Sequence, residues 1–205
     1  MSNTATAHPR TTGTKVAQAI TDLLSPVHLV VGVLLLVGLR SADSVLHGLG
    51  WGLLAATFAG LLPYAFIAWG VRRGRYTDRH IRRREQRVVP LAVALASVVT
   101  GIGVLAWLGA PQQLLALVVA MVVGLVVTLA VTLAWKVSVH SAVAGGAAVI
   151  GALVYGPAAA VVGVPALAAV AWSRVQLRDH TSPQVCAGTV LGATVAATVF
   201  TQLRS

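Results

Sequence analysis

Negative charge is what this chain has least of: five Asp and Glu stand against fifteen Lys and Arg in 205 residues, a formal net charge of +10. Charged residues of both signs make up only 10% of the chain, and apolar residues 57%. An ordinary soluble domain carries about 25% charged residues, so this chain cannot clothe a water-facing surface, and a soluble fold is excluded. Cysteine is nearly absent. Cys186 stands alone in an apolar stretch, which rules out an intrachain disulfide and any cysteine-based metal site. The basic excess is not spread over a face as nucleic-acid binding requires. Eight arginines crowd into one segment, Arg72, Arg73, Arg75, Arg79, Arg82, Arg83, Arg84 and Arg87, so no nucleic-acid partner is expected. A positive-inside membrane anchor is the plain explanation for such a cluster.

What the chain has in abundance is long apolar runs, with a mean hydropathy of +0.85. Runs near 24–40, 48–70, 88–109, 112–134, 139–155, 157–172 and 184–203 are bounded by charges, prolines and short polar turns. Since about 20 helical residues cross the ~30 Å hydrocarbon core, the expectation is an all-α integral membrane bundle of six or seven transmembrane helices. The fifth and sixth runs are short and read as tilted or partly re-entrant. Trp69, Trp107, Trp135 and Trp172 fall at or near span ends, as an interfacial aromatic belt requires. Gly and Ala fill 141–170, which allows close helix packing. Residues 1–23 are polar, lack the apolar core of a signal peptide, and read as a mobile tail. Residues 24–205 then form a single transmembrane domain.

Sidedness follows from counting crossings. Two spans separate 71–87 from 135–140, and two more separate 135–140 from 173–184, so all three charged segments belong to one membrane face. They hold the eight arginines with Lys136, Arg174 and Arg178, whereas the other face keeps Arg40 and Arg204. The Lys/Arg bias makes the charged face cytoplasmic, in a plasma-membrane protein.

Each of those segments carries a constellation able to do chemistry. The first runs from Asp78 through His80 and Glu85 to Arg87. The second is Lys136-Val137-Ser138-Val139-His140. In the third, Ser173-Arg174 is followed after five residues by His180 and after three more by Gln184. A lone histidine at a helix start is usually structural, and His28 and His47 are read so. Together, however, arginines, histidines and helix N-termini supply what phosphoryl chemistry needs: a nucleophile, cations on the non-bridging oxygens, and an acid for the leaving oxygen.

Order and spacing resemble the type-2 phosphatidic-acid phosphatase superfamily, which includes lipid phosphate phosphatases and vanadium haloperoxidases. Its pattern is Lys-x6-Arg-Pro, then Pro-Ser-Gly-His, then Ser-Arg-x5-His-x3-Asp. Ser173, Arg174 and His180 match the third motif, and Ser138 and His140 survive from the second with Val137 and Val139 replacing Pro and Gly. Arg87 takes the arginine place of the first, His80 the lysine place, and Val88 replaces the proline. The resemblance implies that His180 attacks phosphorus to form a phosphohistidine and His140 protonates the leaving oxygen. It further implies that Arg87, Arg174 and the backbone near Ser138 hold the phosphate, with His80, Ser173 and Lys136 alongside. Gln184 replaces the aspartate that would orient the nucleophile; a neutral amide can orient the ring but not stabilise its charge.

Three functions follow. The first is a hydrolase removing phosphate or diphosphate from a membrane lipid or prenyl chain, without a cofactor. The second is a terpene cyclase or lyase that ionises a prenyl diphosphate, in which Asp78 and Glu85 would hold Mg²⁺. The third is a non-catalytic lipid-phosphate binder. Membrane lipids are the expected surroundings, and a homo-oligomer is compatible with the composition.

Overall fold

The structure is a computed structural model that describes residues 11–76 and 88–205. Among them it is all-helical: α1 (Thr12–Leu23), α2 (Pro26–Ser41), α3 (Val45–Ala56), α4 (Leu62–Arg72), α5 (Val88–Trp107), α6 (Gln112–Ala134), α7 (Val139–Tyr155), α8 (Ala160–Gln176) and α9 (Ser182–Leu203). A π-turn at Thr57–Leu61 joins α3 to α4, and a 3₁₀ turn at Pro157–Ala159 leads into α8. Four helical stretches are long and apolar enough to cross a membrane: Val45–Arg72, Gln112–Ala134, Pro157–Gln176 and Ser182–Leu203. A fifth is added if α1 and α2, bent by 43° at their junction, count as one. Much of their outward surface is aliphatic, with Leu53, Leu133, Val161, Val162 and Val190 all exposed, as hydrocarbon surroundings require. This is a membrane protein.

Two sequence-based boundaries are corrected. Residues 12–23, expected as part of a mobile tail, form α1, whose buried Ala17 and Thr21 face α8 one helical turn apart. Alternation of small apolar and polar residues lets a short helix lie against α8 while its other face stays wet. The sixth run, expected to stop at 172, continues to Gln176. Ser173 and Arg174 therefore stand on the last helical turn, and the connection to α9 shrinks to five residues.

Bare glycine faces set which helices touch. On α9, a Cβ at Gly192 would collide with the Ala142 carbonyl oxygen, and one at Gly188 would lie 2.5 Å from that of Ser138. From α7, a Cβ at Gly145 would meet the Thr189 carbonyl at 2.6 Å. Backbones this close exclude any larger residue, the small-residue packing expected of helices in lipid. Gly38 of α2 against Gly48 and Gly52 of α3 repeats the device.

The π-turn has a local cause. Leu62 N–H bonds to the Thr57 carbonyl, and Pro63 has no N–H to offer Phe58. Ser97 of α5 donates its hydroxyl to the Phe58 carbonyl at 2.7 Å, so a backbone acceptor released at membrane depth is satisfied by a neighbouring helix.

Candidate functional site

At one end of the bundle the N-termini of α7 and α9 meet the C-terminus of α8. Ser138 caps α7, accepting from the Ser141 N–H at 3.3 Å and the Ser141 hydroxyl at 3.0 Å. Its own N–H donates to the Gln184 carbonyl at 3.2 Å, stitching segment 135–140 to 173–184. Lys136 Nζ crosses the same gap and donates to the Asp179 carbonyl at 2.6 Å.

The turn that carries His180 is built on Arg174. The Arg174 carbonyl accepts the N–H groups of both Asp179 and His180, each at 3.2 Å. To let the chain double back, Arg178 adopts a left-handed conformation with φ 55°, which costs a residue with a Cβ about 1–2 kcal/mol. Helix α9 then starts at Thr181, whose N–H donates to Gln184 Oε1 at 3.1 Å, half of a capping box. Thr181-x-x-Gln184 is a readable helix-start signature that assigns Gln184 a local task besides facing His180.

An open polar cavity of about 490 Å³ lies over this turn, with Lys136, Arg178, Asp179, His180 and Gln184 among its walls. The His180 imidazole is pushed down to about 4. Burial is the main cause, with the Lys136 and Arg174 charges adding to it, while the Gln184 side chain and Asp179 pull the other way. At neutral pH the ring is uncharged, and its Nδ1 is buried with no hydrogen-bond partner among the described residues. An uncharged imidazole beside cations is chemically a nucleophile or base rather than an acid.

Not every expected residue reaches that cavity. Ser138 is fully buried as a cap, and His140 is buried in the first turn of α7. Ser173 is fully buried and donates to the Val170 carbonyl at 2.8 Å. Arg174 is 8% exposed and ion-paired to Asp179 at 2.8 Å. Arg87, His80, Asp78 and Glu85 lie outside the described residues. Of the three segments expected to converge, 135–140 and 173–184 do so, and most of 71–87 falls outside the description. Sequence reasoning missed Arg178, Asp179 and Thr21. Asp179 stood next to His180 and five residues after Arg174, a spacing that a helix-ending turn closes. His28, read as structural, bonds through Nδ1 to the Asp22 carbonyl and the Ser25 hydroxyl, each at 3.0 Å, and so ties α1 to α2.

An apolar chamber of about 270 Å³ lies between α2, α5, α6, α7 and α9, sharing no wall residue with the polar cavity. Leu29, Val33, Val98, Leu117 and Met121 are among its walls, and Thr128 supplies the one polar side chain among the described residues. Along α7 it runs from Val139 to Ile150, a depth of about 16 Å at 1.5 Å per residue, on the order of one leaflet. Its upper end, at Val139 and Ala142, brackets His140.

Comparison with protein-family models, curated proteins and solved structures returned no match.

Proposed function

We propose that the protein is a membrane enzyme that cleaves phosphate or diphosphate from a lipid or prenyl chain through a phosphohistidine on His180. The observation that carries this reading is an uncharged, half-buried His180 in the wall of a cavity shared with Lys136 and Arg178. The aliphatic chamber behind α7 supports it, offering a chain somewhere to lie while its head group meets the cations. His180 attacks phosphorus, a P–N bond forms as the P–O bond to the lipid breaks, and His140 delivers a proton to the departing oxygen. Water then gives a proton back to His140 as it attacks the phosphohistidine, the P–N bond breaks, and phosphate and the free imidazole are released. Lys136 and Arg178, in the cavity wall, neutralise the phosphoryl oxygens, joined by Arg174, Arg87, His80 and the backbone near Ser138 as the motif resemblance implies. Six or seven spans, with the site on the cytoplasmic face of the plasma membrane, complete the reading on the Lys/Arg bias.

The same chamber favours one other reading. A prenyl diphosphate ionised at its mouth would leave a carbocation enclosed by aliphatic walls, giving a cyclised or eliminated hydrocarbon and diphosphate. Asp78 and Glu85 would bind Mg²⁺ in that case. Incubation of detergent-purified protein with farnesyl and geranylgeranyl diphosphate separates the outcomes. Free alcohol with phosphate or diphosphate supports hydrolysis, hydrocarbon with diphosphate supports ionisation, and bound but unreacted substrate leaves a binder.

A further inference from the structure

The arginine cluster begins where a stretch long and apolar enough to cross a membrane, Val45–Arg72, ends. There α4 closes in a turn in which the Gly74 N–H donates to the Val71 carbonyl at 3.0 Å and the Arg75 N–H to that of Gly70 at 2.9 Å. Gly74, with φ 70°, supplies the left-handed residue that this kind of helix stop requires. The chain therefore doubles back along α4. The Tyr76 ring lies over Gly70, where any Cβ would collide with it, and its centre is 6.4 Å from that of the Phe66 ring. Arg73 and Arg75 turn back in the same way, placing their guanidiniums 5.6 Å and 5.1 Å from the centre of the Trp69 ring.

Two guanidiniums over one indole repel each other, and among the described residues no carboxylate pairs with either. Neither donates a hydrogen bond to a described residue, and both side chains are exposed. A charge needed only to fix orientation has no reason to fold back onto a tryptophan. Behind the two cations, Leu62, Phe66 and Trp69 stand at i, i+4 and i+7 on one stripe of α4 that Arg73 continues. Leu62 is 47% exposed and Trp69 43%. A stripe that is apolar along the helix and doubly cationic at its end has the polarity of a phospholipid. We infer that it binds one anionic phospholipid, whose chains lie along Leu62 and Phe66 and whose phosphate diester is received by Arg73 and Arg75. On the sidedness proposed above, this end meets the leaflet that carries anionic lipids. The site uses neither His180 nor the polar cavity, so it stands independently of phosphoryl transfer.

Native mass spectrometry of the full-length protein in detergent, titrated with phosphatidylglycerol or phosphatidylcholine, counts bound lipid and gives its dissociation constant. One phosphatidylglycerol binds about tenfold more tightly than phosphatidylcholine, whose trimethylammonium the arginines repel. Arg73→Gln or Arg75→Gln weakens that site about fivefold, as one cation near a lipid surface is worth. Trp69→Leu keeps every charge and still weakens it about threefold, the scale of an exposed cation–π contact. Trp69→Tyr, which keeps a ring, stays within about twofold of the parent. Arg40→Gln combined with Arg204→Gln removes two charges at the opposite end and also stays within about twofold. The arginines beyond Tyr76 are common to every variant and cancel in the comparison. Parental affinity in Trp69→Leu overturns the inference, because attraction by net charge needs no ring. An equal loss in the Arg40 and Arg204 double variant overturns it for the same reason. Displacement of the lipid by equimolar glycerol phosphate would mean that the arginines take a soluble phosphate, and this too overturns it. Trp69→Met repeats the comparison should the leucine variant lose its cooperative melt.

Discussion

The two ends of this bundle handle polar groups in opposite ways. At the end holding the C-termini of α2, α7 and α9, side chains mostly reach for nearby backbone. Ser41 donates to the Val37 carbonyl, Tyr155 to that of Leu36, Gln112 to that of Leu203 and Arg204 to that of Leu153. Most of these groups are exposed or half-buried, and they finish helix ends. At the other end Thr21, Ser138, Ser141, Ser173 and Arg174 are buried; Thr21 bonds to Ser173 and Arg174 across α1 and α8, and Ser138 to Ser141 in the first turn of α7. Finishing helices does not require burying a charge, and an arginine removed from water is expensive even when paired. Such a cost, concentrated at one end, is what makes that end the candidate site.

The largest effect expected from breaking this asymmetry is at His180. His180→Ala abolishes turnover of a phosphorylated prenyl or lipid substrate, whereas Arg40→Gln and Arg204→Gln at the opposite end leave it within about twofold, as neutral surface changes do. Steady-state kinetics on the purified variants checks the contrast. Equal losses at both ends would dissolve the distinction.

Next comes the contact that holds the site together. Gly188→Ala places a methyl 2.5 Å from the Ser138 carbonyl, so α7 and α9 must part at the level of the site. About 1–3 kcal/mol of stability is lost, the usual cost of overpacking. Gly50→Ala, with nothing near its Cβ, is neutral or stabilising by up to about 1 kcal/mol, as alanine for glycine in a helix. Thermal melts in detergent measure both.

Acid titration sharpens the account of charge. With His180 lowered to about 4 by burial, Lys136 and Arg174, its ring stays neutral, and hydrolysis persists, until pH falls through that value. Protonation is disfavoured in the folded state, so the His180 contribution to stability is complete above the ordinary histidine range and is lost as pH falls towards 4. Lys136→Gln removes one of the lowering charges and moves the acid limb upward. Gln184→Asp moves it further, by placing a carboxylate where the amide pulls weakly, and hydrolytic turnover rises with it. NMR titration of ring-labelled histidine reads the shift directly, and unchanged limbs in both variants would remove electrostatics from the explanation. A fall in turnover for Gln184→Asp would favour the ionising mechanism, where a new anion opposes an anionic substrate.

The smallest effect belongs to Arg178. Arg178→Gly relieves the left-handed conformation, raising stability by about 1 kcal/mol, while removing one cation from the cavity and weakening phosphate binding. Opposite signs in the two measurements distinguish a cation kept for a ligand from one kept for the turn.

The helices themselves were legible in the sequence because apolar runs long enough to enter lipid leave little choice of structure. Seven such runs were read, and helices lie over each of them. Segments 135–140 and 173–184 were assigned to one face by counting crossings, and the Ser138 N–H bonds to the Gln184 carbonyl. What escaped was short-range and polar. Helix α1 has too few apolar residues to announce itself, and it is specified by its fit to α8 rather than by its own pattern. Ser173 and Arg174 were placed in a connection because charge suggested water, yet Asp179 and Thr21 satisfy that charge inside the last turn of α8. Gln184 was read mainly against His180, although Thr181-x-x-Gln184 also spells a helix start.

The central claim, that the charged end performs phosphoryl transfer on His180, is met most directly by trapping the intermediate. Protein mixed with a phosphorylated or diphosphorylated prenyl substrate, quenched in base within milliseconds to seconds and digested, is examined by mass spectrometry for the phosphoryl group. The account predicts a phosphohistidine at His180 that forms before free phosphate and disappears as substrate is exhausted. Turnover with the phosphoryl group on another residue, or release of diphosphate with a hydrocarbon and no adduct at any time, would contradict it.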